Sequence, residues 1–113
     1  MKSKIIALSK NRDFKNLLNR RKISNKYLNI YYGKLSGKNN KKLNISFSVK
    51  KKISNAVNRN RIKRILRSIM NEIVKKISLN FDYSYLVIAK PTMLNNKYIT
   101  IKETLLTDFK RIK

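Results

Sequence analysis

The sequence predicts a small α+β domain, a two-layer sandwich in which three helices pack against one small sheet. Three observations support this fold class. Segments that alternate in polarity, as strands do, lie between segments with the i, i+3, i+4 spacing of helices. The chain has 113 residues, of which 42% are hydrophobic, enough for one domain with a modest core. Two glycines and one proline are its only breaks, and there is no internal repeat, so we predict a single domain over residues 1–113.

The first predicted element is a helix over residues 11–20. Asp13 in its first turn suits the positive end of the helix dipole. Phe14 and Leu18, four residues apart, share one face of this helix. We predict no element before it, and we expect residues 1–10 to be flexible.

Two strands are predicted next. Residues 27–32 alternate, with Ile30 on the apolar face and Tyr31 on the polar face, and residues 43–49 alternate more cleanly. The intervening residues 33–42 are rich in Gly, Asn and Lys and predict a hairpin loop. Each strand therefore has one face to bury, as an antiparallel sheet backed by helices requires.

The longest predicted element is a helix over residues 55–79, with Ser54 or Asn55 as its N-cap and one apolar stripe along its length. Residues 85–89 are a short, continuous apolar run that predicts a buried central strand. Residues 100–103, Thr-Ile-Lys-Glu, form a capping box that predicts the start of the last helix.

Charge and composition restrict the function. The chain carries 29 Lys and Arg but only 5 Asp and Glu, a formal net charge of +24, which favours a polyanionic partner. The absence of Cys and His excludes a zinc finger, a disulfide framework, a thiol nucleophile and an imidazole base. Because the acids are dispersed, we expect neither a hydrolytic site, nor a metal site, nor a bound cofactor on this chain. No apolar run approaches the ~20 residues of a membrane span, and the first ten residues do not resemble a signal peptide, so we expect a soluble, cytoplasmic protein.

Positive charge is concentrated where the long helix begins. Residues 50–52 are three lysines, and four arginines follow within residues 59–67, with no acid in the helix before Glu72. Arginine grips phosphate with a planar fork, whereas lysine offers a point charge. A solvated helix face is the simpler interpretation, but an arginine-selective cluster in so basic a domain favours nucleic-acid binding. Phe14, Tyr27 and Tyr31 are candidates for stacking on unpaired bases, with ordinary core packing as the alternative.

Residues 48–64, Ser-Val-Lys-Lys-Lys-Ile-Ser-Asn-Ala-Val-Asn-Arg-Asn-Arg-Ile-Lys-Arg, closely resemble the signature of the bacterial ribonuclease P protein component. The core of that signature, Asn-Ala-Val-x-Arg-Asn-Arg-x-Lys-Arg, is matched in full. Residues 13–14, Tyr31, residues 89–90 and the terminal helix match as well, so the resemblance covers nearly the whole chain.

The resemblance implies a ribosomal-protein-like sandwich with a left-handed β-α-β crossover around the long helix. It also implies the protein subunit of an RNA-based endoribonuclease, which removes the 5′ leader of precursor tRNA and so generates the mature 5′ end. The catalytic centre, with its Mg²⁺, would lie in the RNA, and the protein alone would be inactive. The implied partners are the catalytic RNA, in a 1:1 complex, and precursor tRNA, with neither a membrane nor DNA.

The resemblance also assigns residues to these partners. The RNA subunit would be contacted by Arg59, Asn60, Arg61, Lys63, Arg64 and Arg67. The leader would lie in a cleft between the first helix and the sheet, with Phe14, Leu18, Tyr31, Ser48, Lys50 and Lys90. Lys51 and Lys52 would add supporting charge. The chain departs from the family at Ser54, where glycine is usual, and at Leu18, where an aromatic residue is common.

Three other functions remain as alternatives. A small basic ribosomal protein would be a structural RNA-binding module of related fold, and copurification with ribosomal subunits would favour it. A DNA-binding domain would read the major groove with the long helix, although no compact helix-turn-helix unit accompanies that helix. A self-sufficient nuclease is disfavoured by the absence of His and the scattered carboxylates.

Overall fold

The computed structural model describes residues 5–8, 11–38, 41–50, 55–95 and 97–112. Its strands are β1 (Ile5–Ala7), β2 (Arg21–Ser24), β3 (Leu28–Lys34), β4 (Leu43–Val49) and β5 (Tyr83–Ala89). Its α-helices are α1 (Asn11–Leu18), α2 (Ala56–Lys76) and α3 (Tyr98–Arg111), with a short 3-10 helix at Pro91–Asn95. The predicted fold class, an α+β sandwich of one sheet and three helices, is confirmed.

The strand order in the sheet is β1-β4-β5-β3-β2. β4 and β5 are parallel neighbours joined by the crossover through α2, whereas β3 runs antiparallel to β5. The predicted hairpin between β3 and β4 is therefore wrong, because β5 lies between them. β5 is apolar on both faces, with Val87 buried on one and Leu86 on the other. The central position in the sheet therefore suits it, because both of its faces are covered there.

Two strands of the sheet are not predicted from the sequence. Ile5–Ala7 of β1 pairs in parallel with Leu43–Ile45 of β4, although no element is predicted before residue 11. β2 pairs antiparallel with β3. Both are too short for a polarity pattern, since β2 is Arg-Lys-Ile-Ser with one apolar residue. Residues 1–4 and 9–10 lie outside the described residues, and the flexibility expected there stays a prediction.

The sheet has two unequal faces. The larger core lies under α2 and α3, where Leu66, Ile69, Tyr85 and Phe109 are among the fully buried side chains. A smaller cluster lies on the opposite face, under α1, and contains Leu17 with other apolar side chains. The opposite face therefore has less apolar cover and is the side on which a cleft remains.

The caps predicted for α2 and α3 can be compared with the observed helix ends. The backbone N–H of Asn58 donates to Oδ1 of Asn55 at 2.9 Å, so Asn55 caps α2, whereas Ser54 lies outside the described residues. The capping box predicted at residues 100–103 is wrong, because α3 begins at Tyr98 and its N-cap, Lys97, makes no side-chain capping bond. The hydroxyl of Tyr98 instead contacts Glu72 and Ser68 on α2, which holds the extra turn in place.

No helix in the described part of the chain is both long enough and apolar enough to cross a bilayer.

Candidate nucleic-acid interface

The first half of α2 presents its basic side chains in three directions. Ile62 and Leu66 are buried against the sheet, which fixes how the helix is turned. The spacing of the remaining residues then sorts them, because positions four apart lie above one another. One row, along the flank of the helix, is formed by Arg59, Lys63 and Arg67. The outward face carries Asn60 and Arg64, and the other flank carries Arg61.

Electrostatics leaves this part of α2 strongly positive. Among the described residues, two acidic side chains form ion pairs with lysines outside this part of α2: Asp13 with Lys38 at 2.6 Å and Glu72 with Lys102 at 2.5 Å. The hydrogen bond from Lys102 also lowers the pKa of the Glu72 carboxyl below its usual range. A phosphate approaching the first half of α2 therefore meets a segment, residues 56–67, whose charged side chains are all cations.

A cleft of about 390 Å³ lies between α1 and the sheet. Phe14 and Leu18 of α1 form one wall, and Leu86 and Ile88 of β5 contribute the apolar part of its lining. The rest of the lining is Ser46, Phe47 and Ser48 of β4 and Lys63 of α2. The cleft therefore offers apolar and aromatic groups together with hydroxyls and one ammonium group. This combination suits a flexible polyanion with exposed bases, such as single-stranded RNA.

The structure brings together three of the six side chains predicted to hold a leader. Phe14, Leu18 and Ser48 line the cleft, and Leu18 is 46% exposed although it occupies a wall position. Lys50 is exposed directly after β4. Their role stays a prediction, but their proximity agrees with it.

The other predicted leader residues, Tyr31 and Lys90, are not among the residues that line this cleft. Tyr27, a further candidate for stacking, is buried in the larger core, so core packing is its role. Tyr31 packs in the cluster under α1, where the Lys22 ammonium is 5.9 Å from the centre of its ring. The Lys90 ammonium donates a hydrogen bond of 2.6 Å to the backbone carbonyl of Asn25. Lys51 and Lys52, predicted to add charge, lie outside the described residues.

Lys63 is the residue whose position the sequence prediction missed. It is assigned with the arginines to the RNA subunit, but it lines both the cleft and a neighbouring cavity of about 410 Å³, shared with Arg67 and the β1–β4 edge. The four-residue spacing from Arg59 to Lys63 to Arg67 is the signal that separates this flank from the outward face.

Within the described residues, no group of three or more His, Cys, Asp or Glu side chains is placed to hold a metal ion.

Comparison with known sequences places the chain in a family. A family model described as Ribonuclease P matches residues 3–113. The ribonuclease P protein component of Carboxydothermus hydrogenoformans is 36% identical over 110 residues, covering 94% of this chain and 90% of that protein. The corresponding protein of Mycoplasma mycoides subsp. mycoides is 32% identical over 113 residues and is covered, like this chain, over 100% of its length.

Solved structures agree with the sequence relatives. The RNase P protein of Staphylococcus aureus has a TM-score of 0.76 at 25% identity, over 94% of this chain and 93% of that one. The RNase P protein of Thermotoga maritima reaches a TM-score of 0.79 at 24% identity, with 96% and 98% of the two chains covered, a likeness of fold.

Proposed function

Since the chain belongs to the family of ribonuclease P protein components, we propose that it binds the catalytic RNA of RNase P and the 5′ leader of precursor tRNA and thereby promotes leader removal. The observation that carries the proposal is the cleft, where Phe14, Leu18 and Ser48 come together from α1 and β4 beside Lys63 of α2. This arrangement offers stacking surfaces and phosphate contacts on one path.

The leader suits this cleft because its sequence differs from one precursor to another. Stacking on apolar and aromatic side chains accepts any base, and contacts to phosphate carry no sequence information. Phe14 and Leu18 supply the stacking surface, and the Ser48 hydroxyl and the Lys63 ammonium supply polar contacts. The protein thereby distinguishes a precursor, which has a leader, from mature tRNA, which has none.

The exposed arginines of α2 serve the catalytic RNA in this proposal. Arg61, Arg64 and Arg67 are exposed, and Arg59 is partly buried on the same helix. Structured RNA presents closely spaced phosphates, which the arginine fork grips in pairs. Asn60, between two of the arginines, adds an amide that both donates and accepts hydrogen bonds.

Chemistry is left to the RNA subunit in this division of roles. Hydrolysis of the phosphodiester bond would take place in the RNA, where bound Mg²⁺ would supply an activated water and stabilisation of negative charge. The protein contributes affinity and substrate choice, in a cytoplasmic complex of one protein with one RNA. DNA and membranes are not among its proposed partners.

Reconstitution tests this function directly. The protein alone with Mg²⁺ should not cleave precursor tRNA, and addition of its RNA partner at physiological salt should give robust cleavage at the leader junction. Leader-bearing precursor should also bind the complex more tightly than mature tRNA. Cleavage by the protein alone would contradict the proposal, and copurification with ribosomal subunits in place of the catalytic RNA would favour the ribosomal alternative.

A further inference from the structure

A second basic cavity, of about 470 Å³, lies near the end of α1 and is here called the distal pocket. The residues that carry its chemistry are Arg20, Arg21, Tyr32, Gly33, Lys34 and Tyr83. It is formed where β2 and β5 begin and where β3 ends, whereas α2 begins after the opposite end of the sheet. Neither the cleft nor the basic face of α2 uses these residues.

The distal pocket contains two pairs in which a basic side chain lies next to a tyrosine ring. In the sheet register Arg21 is directly opposite Tyr32, and Lys34 is directly opposite Tyr83, so each cation lies beside a tyrosine on the same face. The two tyrosine rings are 5.6 Å apart between centroids and are tilted by 54°. Aromatic faces next to cations are what unpaired nucleotides require: a surface for the base and a charge for the phosphate.

Gly33 makes room for a further cation. A Cβ atom at this position would lie 2.8 Å from Cγ and 3.1 Å from Cβ of Arg20, closer than atoms pack. The glycine therefore lets the stem of Arg20 lie directly against β3. This close contact holds Arg20 at the pocket instead of leaving it to move freely above the strand.

The distal pocket and the cleft are consecutive along the chain. Leu18 lines the cleft, and Asn19 and Arg20, the next two residues, line the distal pocket. β5 also contributes to both, Leu86 to the cleft and Tyr83 to the pocket, a separation of about 10 Å along the strand, with the two side chains on opposite faces of the sheet. A strand of RNA in the cleft would therefore reach the two tyrosines by passing the end of α1 and turning around this end of the sheet.

We propose that the distal pocket binds leader nucleotides that lie 5′ of those in the cleft. The inference rests on the proposed function, which puts the catalytic RNA at the first half of α2. The cleavage junction then lies toward the opposite end of the sheet from the distal pocket. Because a leader extends from that junction only in the 5′ direction, the part that passes the end of α1 is its more distant part.

Precursors whose leaders grow nucleotide by nucleotide provide the test. With the reconstituted holoenzyme, affinity should rise once as the leader fills the cleft and again when it becomes long enough to enter the distal pocket. Arg21→Gln/Lys34→Gln should abolish the second rise, with an affinity loss of roughly 5- to 10-fold confined to long leaders. Lys110→Gln/Arg111→Gln, which removes one Lys and one Arg from exposed positions on α3, should keep both rises.

A variant without charge change separates the shape of the pocket from its charge. Gly33→Ala keeps every cation but displaces Arg20, so it should also weaken the second rise while the thermal unfolding midpoint confirms that the protein is folded. Equal losses on short and long leaders, or a wild type without a second rise, would overturn the inference. A holoenzyme that does not prefer even short-leader precursors to mature tRNA would instead contradict the proposed function.

Site-directed cleavage identifies which RNA lies in the pocket. The chain has no cysteine, so a single Asn19→Cys variant carries an iron chelate at one known position. Its radicals should cut the 5′ part of a long leader, and the same chelate on a Leu18→Cys variant should cut nearer to the cleavage junction. Cuts from residue 19 that fall only in the catalytic RNA would assign the pocket to that subunit and overturn the inference.

Discussion

The cleft beside α1 and the outward face of α2 are built in different ways, although we propose that both bind RNA. The cleft combines side chains from two helices and two strands, and apolar groups dominate its lining. The outward face of α2 comes from one continuous segment and carries the exposed polar side chains of Asn60 and Arg64, with Arg61 and Arg67 exposed beside it. A surface that recognises charge needs one well-formed helix, whereas a surface that accommodates unpaired bases needs the assembled sandwich. The two surfaces should therefore respond differently to substitution.

Leu17→Ala is expected to have the largest effect, because it should lower the stability of the protein and, of the two surfaces, disturb the cleft. Leu17 is fully buried under α1, so its truncation should lower the free energy of unfolding by about 2–5 kcal/mol. Leader affinity should fall as α1 loosens, because α1 forms one wall of the cleft. Leu18→Ala is the matched control. Leu18 is exposed, so its truncation should change the free energy of unfolding by only about 0.5 kcal/mol. Urea unfolding compares the two, and equal losses would contradict this account of the cleft wall.

Arg61→Ala/Arg64→Ala should show the opposite behaviour, with stability retained and RNA binding lost. Both side chains are exposed on α2, and their removal should weaken binding of the catalytic RNA roughly 10- to 100-fold. The slope of log affinity against log salt should decrease by up to about one unit for each lost phosphate contact. Filter binding over a salt series measures it, with the Lys110→Gln/Arg111→Gln variant as control. An unchanged slope would remove these arginines from the interface.

Lys63→Gln sharpens the comparison, because Lys63 belongs to the helix but lines the cleft. We expect it to weaken binding of leader-bearing precursor by roughly 3- to 10-fold while mature tRNA is unaffected. Arg61→Gln removes a charge from the other flank of the same helix and should weaken both substrates equally. Competition between the two substrates for the holoenzyme measures the difference. If the ratio of precursor affinity to mature tRNA affinity were the same in the two variants, the two flanks of α2 would not bind different parts of the RNA.

The smallest expected effect concerns the ion pair that joins α2 to α3. Lys102 lowers the pKa of the Glu72 carboxyl in the folded protein below 4.5, so the stability from this pair is fully present above that pH. It is lost as the pH falls through the lowered value. Glu72→Gln should therefore reduce stability near about pH 7, and the difference from wild type should shrink toward about pH 3.

Urea unfolding across this pH range tests the ion pair. Glu103→Gln removes the same charge from an exposed position on α3 and serves as the control. A Glu72→Gln difference that stays constant across the range would show that the carboxylate does not act through its charge. Since the pair lies beyond the last of the arginines on α2 and joins that helix to α3, RNA binding should not change in either variant.

Long and contiguous features could be predicted from the sequence. α2 and the buried strand β5 have patterns that need no distant partner, and the basic motif lies on one helix. The neighbour of β3 could not be predicted in this way. Local pattern favoured β4, which follows directly, but β5 arrives from about 50 residues further along the chain and offers two apolar faces.

The same distinction separates what could be predicted of the site. The arginines of α2 lie close together in the sequence on one helix, so the directions in which they point follow from helical spacing. The cleft depends on α1, β4 and β5 coming together, and the part that Lys63 plays in it appears only in three dimensions. The distal pocket was missed because β2 was missed, and without β2 the run Arg20-Arg21-Lys22 has no partner strand.

The central place of β5 also determines when a ribosome-bound chain acquires each surface. Residues 56–76 can form their helix once they emerge, because helical hydrogen bonds are local. β3 and β4, made earlier, cannot complete their sheet until residues 83–89 have been synthesised and inserted between them. Pairings over such long sequence separation form slowly. A nascent chain would thus expose the arginines for which we propose binding to the catalytic RNA before it possesses the cleft for which we propose selection of a precursor.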